Sequence, residues 1–242
     1  MRKIAIIPVY RDTDKLMHVL AKFPKNVVDE ICLVVDCPTI NESREIDATK
    51  VDIGPRIHTI INKTRMGVGY AIRKGIEHAL AEKYEVAVIM AGNDKDDPRE
   101  IPRFLEAIES EGYDYVQGSR FLRGGRHVKN PLLRNVFSRV YPLVWTLSTN
   151  VKCTDVTNGF RTYRLKIFCD KRVNIKQDWL DEYQLEYYIH YKVLTLGYRM
   201  KEVPVSKTYP YRHKGGYSHI SPLRDWWKII GPLIYLKLGV KS

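Results

Sequence analysis

The first half of the chain alternates short apolar runs with segments of helical spacing. KIAIIPV (3–9), EICLVVD (30–36), RIHTIIN (56–62), YEVAVIM (84–90) and YDYVQGSR (113–120) read as strands. Runs this continuously apolar predict strands buried on both faces, and so a mostly parallel sheet covered by helices. Helical spacing fills the gaps: DTDKLMHVLAKF with Asp12 or Thr13 as N-cap, GYAIRKGIEHALAEK opened by Gly67 and Gly69, and PREIPRFLEAIESEG with proline near its start.

The second half has a different texture. NPLLRNVFSRVYPLVWTLST predicts a helix interrupted at Pro142, and DVTNGFRTYR reads as a turn-rich segment. WLDEYQLEYYIHYKVLTLG predicts a long amphipathic helix closed by Gly197, and YRMKEVPVSKTYP a strand. SPLRDWWKIIGPLIYLKLG is apolar and flanked by lysines. With no repeat, low-complexity tract or linker, residues 1–242 read as one α/β domain.

Composition narrows the partners. The net charge of +12 favours something anionic: nucleic acid, a phosphorylated small molecule or a membrane surface. A solvated basic face would also account for it. The four cysteines, Cys32, Cys37, Cys153 and Cys169, form no CxxC pair and have no His at ligand spacing. No zinc site is expected, and a reduced, cytoplasmic chain is. The apolar run in MRKIAIIPVYR is too short for a signal peptide, and no stretch reaches the ~18–20 apolar residues of a membrane span.

Candidate chemistry gathers where parallel strands end. Ligands of such sheets bind beyond the carboxyl ends of the strands. Tyr10 and Asp12 follow the first strand, Asp36 ends the second, MAGNDKDDP closes the fourth, and Gly118, Ser119 and Arg120 end the fifth. Each aspartate could instead cap the next helix. Asn93, Asp94, Asp96 and Asp97 could offer oxygens to a divalent cation, Mg²⁺ or Mn²⁺, while Lys95 would compete for them or meet a phosphate itself. The arginines at 120, 123, 126, 134, 139, 161 and 164 suit phosphorylated ligands, although some are ordinary surface charge. No Walker loop, GxSxG elbow or Ser/His/Asp arrangement is present.

The ordered segments IPVYRD, LVVD, NKTRMGVGYAIRKGI, VIMAGNDKDDPREIP, GSRFLRGG, RNVFSR, TDVTNGFRTYR, GYRMKEVPVSK and RHKGGYSHI resemble the family 2 glycosyltransferases. Within that family they resemble the branch of dolichol-phosphate mannose synthase and related polyprenyl-phosphate glycosyltransferases. The resemblance implies a GT-A fold and inverting transfer from a nucleotide-sugar donor. It assigns residues 1–120 to the donor, 121–220 to the acceptor and 221–242 to an amphipathic helix.

Donor contacts are expected from Pro8, Tyr10, Asp12, Asp36, Gly69, Asn93, Lys95 and Arg120. Asp155, Arg120 and Arg134 are the catalytic candidates. Ser138, Arg161, Arg212 and Ser218 are placed at the acceptor, and Asn93, Asp94 and Asp96 at the metal. The chain departs from the family in three places. Cys37 follows Asp36 where a second acidic residue is usual, His219 stands for a lysine, and the family's D-x-D is Ala91-Gly92-Asn93.

The acceptor implied is a polyprenyl phosphate, a glycolipid or a growing surface glycan. A sugar hydroxyl would need a base, for which Asp155, Asp178, Asp181 and Glu182 are candidates, whereas a lipid phosphate is already anionic. The missing D-x-D also admits a catalytically inactive, nucleotide-binding or scaffolding member. Nucleic acid is not expected, because no module for it is present. Trp226, Trp227, Lys228, Lys237 and Lys241 suit an interfacial helix at the inner face of a membrane, or a terminal helix packed on the core.

Overall fold

The computed structural model describes residues 1–11, 13–39, 54–128, 132–209 and 222–241, without the side chains of 132–134 and 222–226. Strands β1 (Lys3–Val9), β2 (Glu30–Asp36), β3 (Arg56–Asn62), β4 (Val86–Ile89), β5 (Tyr115–Ser119), β7 (Arg161–Arg164) and β8 (Met200–Pro204) form one seven-stranded sheet. Its order is β3-β2-β1-β4-β7-β5-β8, and β7 pairs antiparallel with both neighbours while the other pairings are parallel. A small second sheet pairs β6 (Arg126–Val128) with β9 (Ser206–Thr208).

The apolar runs are continuous because both faces of the central strands are covered. Ala5, Ile7, Leu33, Val35 and Val88 point to one face, where they meet Leu16, Val19 and Leu20 of α1 (Thr13–Ala21). Ile101, Phe104 and Ile108 of α3 (Ile101–Glu109) complete that layer. Ile4, Ile6, Cys32, Val34 and Ile89 point the other way, toward α2 (Val68–Ala81) and α5 (Gln184–Thr195). A third cluster, centred on Tyr141, Trp145, Tyr187, Ile229 and Leu233, joins α5 to α4 (Leu132–Thr149) and α6 (Pro222–Lys237).

Three elements differ from the sequence expectation. Arg161–Arg164, expected in a turn-rich segment, is a central strand whose arginines hid its alternation. The segment 198–210 is not one strand: the chain leaves the large sheet at Pro204 and enters the small one at Ser206. Pro142 lies inside α4 without ending it, and its carbonyl accepts the Thr146 hydroxyl at 2.9 Å.

Candidate active site

A cavity of about 230 Å³ opens at the carboxyl ends of β1, β2 and β4. Its floor includes Pro8, Tyr10, Asp36, Ala91, Asn93 and Lys95, and its far wall includes Thr157, Glu182, Glu186, Lys207 and Tyr209. β1 and β2 pair in parallel register up to Val9 and Val35, so both present their carboxyl ends at the same edge of the sheet, where ligands of such sheets bind.

On the floor, Asp36 is buried and organises a loop. Its oxygens accept the backbone N–H groups of Met66 (2.9 Å) and Gly67 (2.9 Å) and the Asn62 amide (3.3 Å). That loop carries Arg65 to the cavity, where its guanidinium lies 5.0 Å from the Tyr10 ring centre. Gly69 does not line the cavity. It lets the first turn of α2 sit on residues 180–182, where a Cβ would collide with the carbonyls of Leu180 and Glu182.

The acidic cluster is resolved into pairs. Asp94 binds the Lys22 ammonium at 2.7 Å and faces His18 at 3.6 Å, away from the cavity. Asp96 is buried, and both its oxygens take the Lys207 ammonium, at 2.7 and 3.0 Å. Asp97 accepts the Arg99 backbone N–H at 3.0 Å and pairs with its guanidinium at 2.6 Å, which, acting chiefly through that side-chain hydrogen bond, lowers the Asp97 pKa. Asn93 alone of the expected metal residues lines the cavity, and its Oδ1 is buried without a hydrogen-bond partner.

Behind the far wall, Arg120 and Asp155 form a buried pair. Burial is the largest influence on Arg120 and opposes its charge. The Asp155 carboxylate, with smaller help from Tyr209 and Asp96, outweighs it and raises the pKa. Arg120 also donates to Thr157 Oγ1 (2.6 Å) and Tyr209 Oη (3.1 Å), both on the cavity wall. Ser138 is buried and accepts the Thr157 hydroxyl at 3.3 Å. Arg161 is fully enclosed, donating to the carbonyls of Asn158, Glu186 and Val156 at 2.7–2.9 Å.

The structure therefore brings Pro8, Tyr10, Asp36, Asn93 and Lys95 together and sorts the rest differently. Arg120, Asp155 and Ser138 sit one layer behind the cavity, where the Asp155 carboxylate is closed off by Arg120 rather than presented as a base. Arg161 is a backbone clamp and not an acceptor contact, because its three nitrogens are used internally. Asp94 and Asp96 are not arranged as metal ligands, each being held by a lysine. Asp12, the Arg134 side chain, Arg212, Ser218, His219 and the Trp226 side chain lie outside the described residues. Arg65, Thr157, Lys207 and Tyr209 join the site without having been singled out. Arg65 and Lys207 stood in quoted motifs, but nothing in their spacing distinguished them from surface cations.

The family model described as "Glycosyl transferase family 2" matches residues 4–170. The chain belongs to glycosyl transferase family 2. Within this family, it is 29% identical over 208 residues to the undecaprenyl-phosphate mannosyltransferase of Micrococcus luteus, covering 85% of this chain and 83% of that protein. It is 24% identical over 208 residues to the polyprenol monophosphomannose synthase of Mycolicibacterium smegmatis, covering 86% and 77%.

The GT-A fold is shared with glucosyl-3-phosphoglycerate synthase of Mycobacterium tuberculosis, solved with Mn²⁺, uridine diphosphate and glucosyl-3-phosphoglycerate. That likeness has a TM-score of 0.67 at 13% identity and covers 100% of this chain and 81% of that one. S. aureus TarS 1-349 with UDP-GlcNAc gives a TM-score of 0.63 at 14% identity, covering 98% and 66%. A protein of the same fold has thus been solved with a divalent cation, yet the described residues of this chain do not gather a donor set for one. Among the described residues no three His, Cys, Asp or Glu side chains gather: of the 91–97 stretch only Asn93 brings a side-chain oxygen to the cavity wall, and Asp36 is taken up by the Met66 and Gly67 N–H groups.

Proposed function

We propose that this glycosyltransferase moves a sugar from a nucleotide-sugar donor, bound at the carboxyl ends of β1, β2 and β4, to a polyprenyl phosphate at an anionic membrane surface. The observation that carries this reading is the match along most of its length to an undecaprenyl-phosphate mannosyltransferase. The cavity supports it, with Tyr10 after β1, Asp36 at the end of β2, Arg65 after β3, and Asn93 and Lys95 after β4.

In such a transfer a phosphate oxygen of the lipid attacks the anomeric carbon. The bond from that carbon to the donor diphosphate breaks, and the nucleoside diphosphate leaves with the electron pair, inverting the centre. The acceptor is already an anion, so the closed-off Asp155 is no obstacle: no strong base is required. The protein's task is to hold two anions in line and to offset the charge growing on the leaving group.

A lipid acceptor also gives a role to α4. Val136, Val140, Leu143, Val144 and Leu147 recur along one side of that helix and are 44–82% exposed, opposite the buried Tyr141 and Trp145. Lys237 of α6 donates to the Ser148 carbonyl at 2.9 Å, bringing the ends of the two helices together. An apolar stripe on a chain of net charge +12 suits an anionic bilayer surface. No helix among the described residues is long and apolar enough to cross a membrane.

The test is a panel of nucleotide sugars incubated with undecaprenyl or dolichyl phosphate in vesicles, with mass spectrometry of the lipid. A glycosylated lipid phosphate is expected from one donor. Transfer to saccharides alone would overturn the acceptor, and no transfer or donor consumption would overturn the reading.

A further inference from the structure

Resting on the donor site proposed above, we infer that Lys95 takes the part of a divalent cation in holding the donor diphosphate, so that binding and transfer proceed without metal. The stretch from Ala91 to Asp97 lies where a cation would be held, but its carboxylates are committed elsewhere. Asp94 is held by Lys22, Asp96 by Lys207 and Asp97 by Arg99. Releasing Asp96 to a metal would strand the Lys207 ammonium, which is buried and gives its other hydrogen bond to Asn158 Oδ1 at 3.0 Å. The residues of the stretch that line the cavity are Ala91, Gly92, Asn93 and Lys95, of which Lys95 alone carries a charge.

Lys95 is held at both ends of this arrangement. Its carbonyl accepts the Thr208 N–H at 2.9 Å, and the next residue, Asp96, bridges to Lys207. Its ammonium stands 5.7 Å from the ring centre of Tyr209, which also lines the cavity. An ammonium fixed this way is a point charge suited to a phosphate, and it needs no carboxylates to retain it. As the anomeric bond breaks, the electron pair passes to the β-phosphate oxygen. Lys95 stabilises that charge while keeping its own proton. Asn93 Oδ1, buried and without a hydrogen-bond partner, is neutral and adds no charge that would repel the phosphate.

The experiment is calorimetric titration of the EDTA-treated protein with GDP and UDP, repeated in Mg²⁺ and in Mn²⁺, alongside the lipid-transfer assay in EDTA. One nucleoside diphosphate is expected to bind with an affinity within about twofold with and without metal, and transfer is expected to persist. K95M should weaken diphosphate binding about 10- to 100-fold while leaving the parent nucleoside's affinity unchanged, and K95R should retain most of it. Binding that appears only with metal, or K95M equal to the unaltered protein, would overturn the inference and leave the proposed function standing. No binding of either diphosphate in any condition would overturn both. The EDTA arm uses the unaltered chain, so a metal requirement found there overturns the inference even if a variant fails to fold.

Discussion

Arg120 and Asp155 meet side-on, with Nε 2.6 Å from Oδ2 and Nη2 2.8 Å from Oδ1, and neither residue is more than 2% exposed. Two parallel charge-assisted hydrogen bonds in a dry site hold the loop before β7 to the end of β5. Asp155 is further satisfied by the backbone N–H groups of Arg120 and Thr157, at 3.1 and 3.2 Å. D155A should therefore destabilise the fold by about 3–5 kcal/mol, because it strands a buried guanidinium. Urea unfolding measures this. A loss of activity at unchanged stability would instead mark Asp155 as acting on substrate.

The Asp96–Lys207 pair makes a related prediction with a different control. K207M leaves a buried carboxylate unpaired and should cost about 3 kcal/mol. The double variant D96N/K207M removes both charges and should recover part of that loss. A double-mutant cycle from thermal unfolding reads the coupling. If the two losses simply add, Asp96 is not committed to Lys207 and becomes available to other ligands.

At Gly69 the constraint is steric. A methyl group there would press on the Leu180 and Glu182 carbonyls, which are backbone and cannot rotate aside. G69A should force α2 away from residues 180–182, costing about 1–3 kcal/mol. Because Glu182 and Val68 both line the cavity, donor affinity should fall as well. Calorimetry with the nucleoside diphosphate, beside a melting curve, checks both effects.

Much of this fold was legible because its central strands are apolar throughout and end in polar residues. Tyr10, Asp36 and Asn93–Lys95 could be assigned to one crevice from strand ends alone, and Pro8 from the family resemblance. What the sequence hid was pairing. Nothing in MAGNDKDDP shows that Asp96 will meet Lys207, a residue 111 positions away. Burial of Arg120, Arg161 and Asp155 was equally hidden, since charged side chains read as surface unless a partner is known. The stripe on α4 was visible as Val136, Val140, Leu143 and Leu147, but helical spacing does not say which side faces the core. That was settled by Tyr141 and Trp145 packing on α5 and α6.

His190 gives the fold a pH dependence that can be isolated. It is fully buried, and burial, reinforced by the Arg161 charge, drives its pKa well below 6.5. Tyr115 donates its hydroxyl to Gln117 Oε1, so His190 Nδ1 carries the proton shared with Tyr115 Oη at 2.9 Å, and Nε2 is left bare in an apolar site. The unfolded chain therefore binds a proton more readily than the folded one below about pH 6.5. Stability from this group is complete above that pH and is lost as pH falls toward the folded value. Urea unfolding at pH 5 and pH 7.5 should show a larger decrease for the unaltered protein than for H190F. Equal decreases would mean His190 titrates alike in both states.

The exposed stripe on α4 separates membrane contact from catalysis. Val140, Leu143 and Leu147 are 53%, 61% and 82% exposed, so placing glutamate at all three should leave the melting temperature nearly unchanged. Against anionic vesicles the same change removes apolar area and adds like charge. Partitioning in a flotation assay should fall at least tenfold, about 1.4 kcal/mol. Transfer to a vesicle-embedded polyprenyl phosphate should fall in parallel, while nucleoside diphosphate affinity, set at the other side of α5, should hold. Unchanged flotation would mean the stripe does not face the bilayer, and a lost melting transition would mean it is covered by the protein itself.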